Sequence, residues 1–260
     1  MEPQPAGNNE TPDGLIYPSG GDTMLCCIIF MACGAVALAC YLREKLRALS
    51  LKAALWKSLV SALFVATAVS GWFYASAGGA LPVFGALVVP GLVFGLMGDI
   101  WLDLKFVYPA DDTPLTYAGF ATFGVGHILY QLGLLLQFYV HGKPLYVLLP
   151  MGLAVLLTLG NLAMEKPMKL SFGKMKPVVI AYSFLLFLTV LLSGSLALLH
   201  RWSLPTLDLF FAGSVLFAVS DLVLSGTYFG IGKDRPVDIV LNYLSYYPAQ
   251  FLIAFSLAFL

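Results

Sequence analysis

Three aspartates occupy positions where the surrounding sequence calls for an apolar residue. Asp99 and Asp103 lie in the run Gly98-Asp99-Ile100-Trp101-Leu102-Asp103, and Asp221 lies in Ser220-Asp221-Leu222-Val223-Leu224. Both runs read small-Asp-apolar-apolar-Leu. A carboxyl group inside an apolar segment is costly, so by default it marks a substrate site, a proton relay or an ion path. A pair of such groups is also suited to acid–base chemistry, because an environment that treats two carboxyls differently lets one give a proton while the other takes one. Asp99 and Asp221 are therefore the candidate catalytic pair. Asp103, at i+4 from Asp99 and on the same helix face, is open to two readings. Beside Lys105 it is either an interfacial acid reaching toward water or a neighbour of the site.

Other reactive chemistry has little support. A metal ion asks for three or more His or carboxylate ligands. His127 is the one histidine inside an apolar stretch, since His141 and His200 fall in loops, so no metal is expected. Ser220 lacks a nucleophile-elbow pattern, and no phosphate-binding or dinucleotide fingerprint points to a cofactor. The cysteines, Cys26, Cys27, Cys33 and Cys40, crowd into the first hydrophobic segment, and three of them repeat every seven residues. That spacing is no zinc pattern, and they read as small packing residues.

The elements that must hold these groups are dictated by composition. Of 260 residues, 60% are hydrophobic and 11% charged, with no net charge. No soluble domain of this length hides so much apolar surface, and nothing in the charge balance suggests a nucleic-acid partner. The expected fold class is an all-α integral membrane protein, with membrane lipids as its surroundings. Residues 1–23 are polar, acidic and free of Lys and Arg. They read as a disordered tail without the basic start of a signal peptide, followed by one transmembrane domain over 24–260.

A span needs about 20 apolar residues, and eight segments qualify, over 24–42, 53–72, 81–104, 115–140, 144–164, 177–199, 205–224 and 237–260. Lys and Arg concentrate on the cytoplasmic side of membrane proteins. Of the 14 basic residues, the odd-numbered loops and their flanks hold all but Lys143 and Arg201. The odd loops are therefore expected in the cytoplasm and both termini on the other side. The membrane is a plasma membrane in a bacterium, or an internal one such as the endoplasmic reticulum in a eukaryote.

On this topology the buried polar groups gather in the cytoplasmic half. Asp99 and Asp221 fall at matching depth on the third and seventh spans. His127, Tyr130 and Gln131 belong to the fourth span. Tyr243, Tyr247 and Gln250 form a stripe on the eighth, with Tyr246 at its border. One polar cavity would satisfy them together. The tyrosines also fit a core or interfacial role, and His127 also fits a helix-bridging hydrogen bond. The repeated Asp motif four spans apart suggests that the bundle is two parallel four-helix halves.

At these residues the chain resembles the YhhN family of lysoplasmalogenase-like multi-pass membrane proteins. Gly98-Asp99-Ile100-Trp101-Leu102 matches its Gly-Asp-x-x-Leu run. Phe120 and Phe123-Gly124-Val125-Gly126-His127-Ile128-Leu129-Tyr130 match a Phe/His/Tyr run, Ser220-Asp221-Leu222-Val223-Leu224 a Ser-Asp-x-x-Leu run, and Tyr246-Tyr247-Pro248-Ala249-Gln250 a Tyr-Tyr-x-Ala-Gln run. A Lys-Pro pair is usual in the second span; here Lys57 is followed by Ser58. What the resemblance implies is hydrolysis of the vinyl ether of lysoplasmalogens to a fatty aldehyde and a glycerophospho-base, with a lysophospholipid drawn from the bilayer as substrate. Asp99 and Asp221 would be the acid–base pair. Lys57 would meet the phosphate, and His127, Tyr130, Ser220, Tyr246, Tyr247, Gln250 and Asp103 would line the substrate site. The rival reading is a proton-coupled transporter or lipid scramblase using the same acids. Its broken helices would be sought at Pro90-Gly91 and at Pro248.

Overall fold

The computed structural model describes residues 20–47, 51–76, 81–230 and 235–260. Eight α-helices follow one another: α1 (Gly20–Arg47), α2 (Leu51–Ala75), α3 (Val83–Val107), α4 (Asp112–Phe138), α5 (Leu145–Ala163), α6 (Lys176–Leu199), α7 (Pro205–Phe229) and α8 (Pro236–Ser256). Among the described residues, seven helical segments, those of α1 to α7, are long and apolar enough to cross a membrane. The chain is thus an all-helical integral membrane protein. The eighth helix falls short of that apolarity because Asn242, Tyr243, Tyr246, Tyr247 and Gln250 sit along it, all of them buried. The expected tail over 1–23 lies outside the described residues up to residue 19. From Gly20 onward the chain is already helical, one turn earlier than expected. The seventh helix runs one turn further, to Phe229.

Local chemistry explains the boundaries. Proline stands in the first turn of α6, α7 and α8, where its missing N–H would have had no partner in any case. Inside α3 and α8, Pro90 and Pro248 are accommodated without ending the helix. The helices pair in order, α1 on α2, α3 on α4, α5 on α6 and α7 on α8, and the pairs are joined by α2 on α3, α6 on α7, α2 on α8 and α4 on α6. Helix α5 lies at the periphery. Its buried residues, Pro150, Ala154 and Thr158, form one i, i+4, i+8 stripe. Of the four cysteines, Cys27 alone is buried, while Cys26 and Cys33 face outward. The expectation that all are packing residues is corrected: the seven-residue repeat puts Cys26 and Cys33 on the outer face of α1.

Helices α3 and α4 approach most closely where glycine removes the side chains. A Cβ on Gly126 would stand 2.9 Å from the carbonyl oxygen of Gly91, and one on Gly91 would run into the Tyr130 ring. Small residues are what permits such backbone contact in membrane bundles. We expect Gly126→Ala to lower the melting temperature in detergent. Backbone cannot swing aside as a side chain can, so overpacking of about 1–3 kcal/mol outweighs the ~1 kcal/mol of helix propensity gained. An unchanged or raised Tm would mean that the two helices part freely.

The connection between α5 and α6 folds back onto the end of α7. Leu170 bridges to Gly230, the Ser171 N–H donates to the Phe229 carbonyl at 2.8 Å, and Phe172 is buried edge-on against Phe229. Glu165 ties this strap together, accepting from the Phe172 N–H at 3.2 Å and from Lys176 Nζ at 2.8 Å. The Lys176 hydrogen bond, helped by the Phe172 N–H, holds the Glu165 carboxyl below the usual carboxylate range. A carboxyl lowered in the folded chain contributes stability above its unfolded value and loses it as pH falls through the folded one. Hydrogen-exchange protection of the Phe172 amide should therefore survive at the pH where free glutamate titrates, about 4.3, and fade only in stronger acid. In Glu165→Gln it should be weakened already at neutral pH; protection indifferent to both changes would remove the tie.

Candidate active site

A cleft of about 840 Å³, counted with its open mouth, runs among α2 to α8, with Asn161 the contribution of α5. Its walls are mostly apolar, with Leu102, Phe120, Phe123, Leu186 and Phe229 among them, and both Asp99 and Asp221 line it. Lys57, Ser220 and Tyr246 line the same space.

Asp99 is 2% exposed and fully engaged. Its Oδ1 lies 3.2 Å from Lys57 Nζ. Its Oδ2 accepts from Ser61 Oγ at 2.6 Å and from Tyr246 Oη at 2.8 Å, and Tyr246 Oη in turn accepts from Gln250 Nε2 at 2.9 Å. One turn along α3, Asp103 is equally buried, with Lys45 Nζ at 2.9 Å and Lys57 Nζ at 3.6 Å from the same Oδ1. Four alternating charges thus cross from α1 through α3 to α2: Lys45, Asp103, Lys57, Asp99. Asp103 is accordingly not an interfacial acid reaching toward water, and Lys57, 3% exposed, is held by two carboxylates inside the bundle rather than at its rim. Lys105, beside them in sequence, lies over the Tyr228 ring at 3.5 Å and pairs with Asp112 at 3.4 Å.

Asp221 has a plainer environment. Tyr182 Oη of α6 donates to its Oδ2, and no Lys, Arg or His among the described residues is recorded in an ion pair with it. Its neighbour Ser220 is occupied by Asn242, whose Nδ2 donates both to the Ser220 carbonyl and to its Oγ at 2.9 Å.

His127, Tyr130 and Gln250 line a different, closely packed space, walled by Gly91, Gly95, Phe123, Gly126 and Phe217. The histidine's tautomer follows from its neighbours. Thr189 Oγ1 donates to the Leu185 carbonyl and accepts from Gln131 Nε2, so at 3.0 Å it accepts from His127 Nδ1. The bare Nε2 of His127, the Tyr130 hydroxyl and Gln250 Oε1 are buried without partners. Tyr247 lines neither space; it packs against Tyr41 and Tyr243 in an aromatic cluster.

The structure therefore brings Lys57, Asp99, Ser220, Asp221 and Tyr246 to one cleft, puts His127, Tyr130 and Gln250 beside it, and leaves Asp103 and Tyr247 outside both. Sequence reasoning missed Ser61, Tyr182, Asn242 and Lys45. For Asn242 a signal was available, because 242, 246 and 250 form an i, i+4, i+8 stripe. A hydroxyl in an apolar run, as at Ser61 or Tyr182, carries no such signal, and Lys45 reads as a loop charge.

The family profile of YhhN matches residues 52–257. The chain belongs to the YhhN family. No curated protein and no solved structure matches it significantly. The match takes in α2 to α8 and with them both carboxyls of the cleft, and it begins after α1, which brings Lys45 to Asp103.

The charge row yields a stability test. Removing one partner of a buried ion pair strands the other, at roughly 3–5 kcal/mol, while replacing both by apolar residues is often close to neutral. We expect Asp103→Leu to lower the Tm sharply and Lys45→Met in the same chain to restore most of the loss. Additive losses in the double variant would show that the two side chains are uncoupled.

Proposed function

We propose that this YhhN-family protein is a membrane-embedded hydrolase that cleaves the vinyl ether bond of lysoplasmalogens, releasing a fatty aldehyde and a glycerophospho-base. The observation that carries this reading is the meeting of Asp99 of α3 and Asp221 of α7 in one apolar-walled cleft among membrane-spanning helices. Protonation of the β-carbon of a vinyl ether gives an oxocarbenium ion, water adds to it, and the hemiacetal collapses to aldehyde and alcohol. One carboxylic acid and one carboxylate suffice for these steps. The apolar walls suit an alkenyl chain entering from the bilayer.

The bundle crosses the membrane eight times, with both termini on the non-cytoplasmic side, as the loop charges indicate. Helix α8 counts as a span because its polar face is turned into the bundle, where Tyr246 and Asn242 find partners on α3 and α7. Two parallel halves account for the packing order. Advancing every helix by four maps α1–α2, α2–α3 and α3–α4 onto α5–α6, α6–α7 and α7–α8, and exchanges α2–α8 with α6–α4. The membrane is the plasma membrane in a bacterium or an internal one in a eukaryote. The carrier reading is less well supported, since α3 and α8 continue through Pro90 and Pro248 where a transporter would use broken helices.

The test is aldehyde release from a lysoplasmalogen by the purified protein in detergent. Asp99→Asn and Asp221→Asn should each lose turnover by about 10²–10⁴-fold, the usual worth of a positioned acid or base, with the fold intact by circular dichroism. Full activity in either variant would sink the acid-pair mechanism. A wild type that releases no aldehyde from any vinyl ether, yet moves lipid or protons in liposomes, would make it a carrier.

A further inference from the structure

The two carboxyls lie in one cleft but in unlike surroundings, and the difference assigns their roles. Asp99 meets a cation and two hydroxyl donors, Lys57 and Ser61 of α2 and Tyr246 of α8. It also ends the row Lys45, Asp103, Lys57, Asp99, which sums to zero when all four are charged. A proton on Asp99 would leave the row with a stranded positive charge inside the bundle, which is expensive. Among the described residues no cation pairs with Asp221; Lys57 lines the same cleft but is held by Asp99 and Asp103. From α6 Asp221 receives the Tyr182 hydroxyl. From α4, His127 stands edge-on to that same Tyr182 ring, with its Nδ1 proton committed to Thr189. From α8, Asn242 is committed to Ser220, and across the cleft from α3 comes Asp99. Asp221 is half-buried on the wall of the mostly apolar cleft; a bare carboxylate there would have one hydroxyl and apolar neighbours for company, whereas a neutral carboxyl needs no more than that.

We propose that Asp221 is the proton donor of the cleft and Asp99 its standing carboxylate, with Lys57, Ser61 and Tyr246 as positioning residues that keep Asp99 charged. The chemistry rests on the vinyl-ether reading; the assignment of charge does not. In the reaction, Asp221 gives its proton to the β-carbon, the π electrons form the new C–H bond, and the positive charge is shared by the α-carbon and the ether oxygen, facing Asp99. Water bonds to the α-carbon and loses a proton to Asp99. As the C–O bond to glycerol breaks, Asp99 returns that proton to the departing oxygen, and the hemiacetal hydroxyl gives its own to Asp221. Both groups end as they began, with one water consumed.

Infrared spectroscopy reads the assignment without any substrate, through the C=O stretch of a neutral carboxylic acid in the purified protein at neutral pH. The wild type should show such a band, Asp221→Asn should lose it, and Asp99→Asn should keep it. Tyr182→Phe, which leaves both acids in place, should shift the band without abolishing it. Lys57→Met should add a second band, as Asp99 takes up a proton, and Lys57→Arg should not. A band that disappears in Asp99→Asn, or one that survives in Asp221→Asn, overturns the assignment, as does Lys57→Met without a new band. If the wild type proves inactive on vinyl ethers while the bands behave as stated, the assignment stands and the substrate is wrong.

Discussion

Charge neutrality inside a low-dielectric bundle is the constraint on which the remainder of this structure depends. A carboxylate can stay in such a place if a cation is brought to it, and the cation must come from somewhere. Here it comes from two helices. Lys57 reaches Asp99 and Asp103 from α2, and Lys45 reaches Asp103 from α1. The first helix, mostly in contact with the surroundings, is thereby tied into the middle of the protein by Lys45, alongside Tyr41, which is buried against Tyr243 and Tyr247. The order of the row also fixes register. A shift of one helical turn in α1, α2 or α3 would leave a charge facing hydrocarbon.

The two aspartates of the cleft are accommodated in opposite ways. Helix α2 offers a lysine and a serine to Asp99 on α3, whereas α6 offers a tyrosine to Asp221 on α7. These unlike partners are the ground on which the two carboxyls are proposed to carry different charge and to do different work.

Much of this could be seen before any coordinates. Acids are so rare in apolar runs that Asp99 and Asp221 announced themselves, and helix positions followed from hydropathy to within a turn or so. The failures have a common cause. Reading a sequence for a membrane protein treats lysines as loop markers, so Lys57 and Lys45 both count there toward orientation. In the folded chain their long stems carry the charge back inside. Hydroxyls such as Ser61 and Tyr182 are ordinary in apolar helices, and what makes them matter is the partner across the cleft. Tyr247 belongs to a motif yet packs among aromatic rings, against Tyr41, Tyr243 and Tyr246.

Helix lengths add a mechanical consequence. At 19 residues, α5 rises about 28 Å, against a hydrocarbon thickness of about 30 Å. Helices α1 to α3, of 25 to 28 residues, extend for about 38–42 Å. The long helices can tilt or protrude to suit a range of bilayers, but α5 has nothing to spare. A thickening membrane would therefore pull first on the ends of α5, and at one of those ends the pull passes through Glu165 to the strap lying against Phe229, on the wall of the cleft.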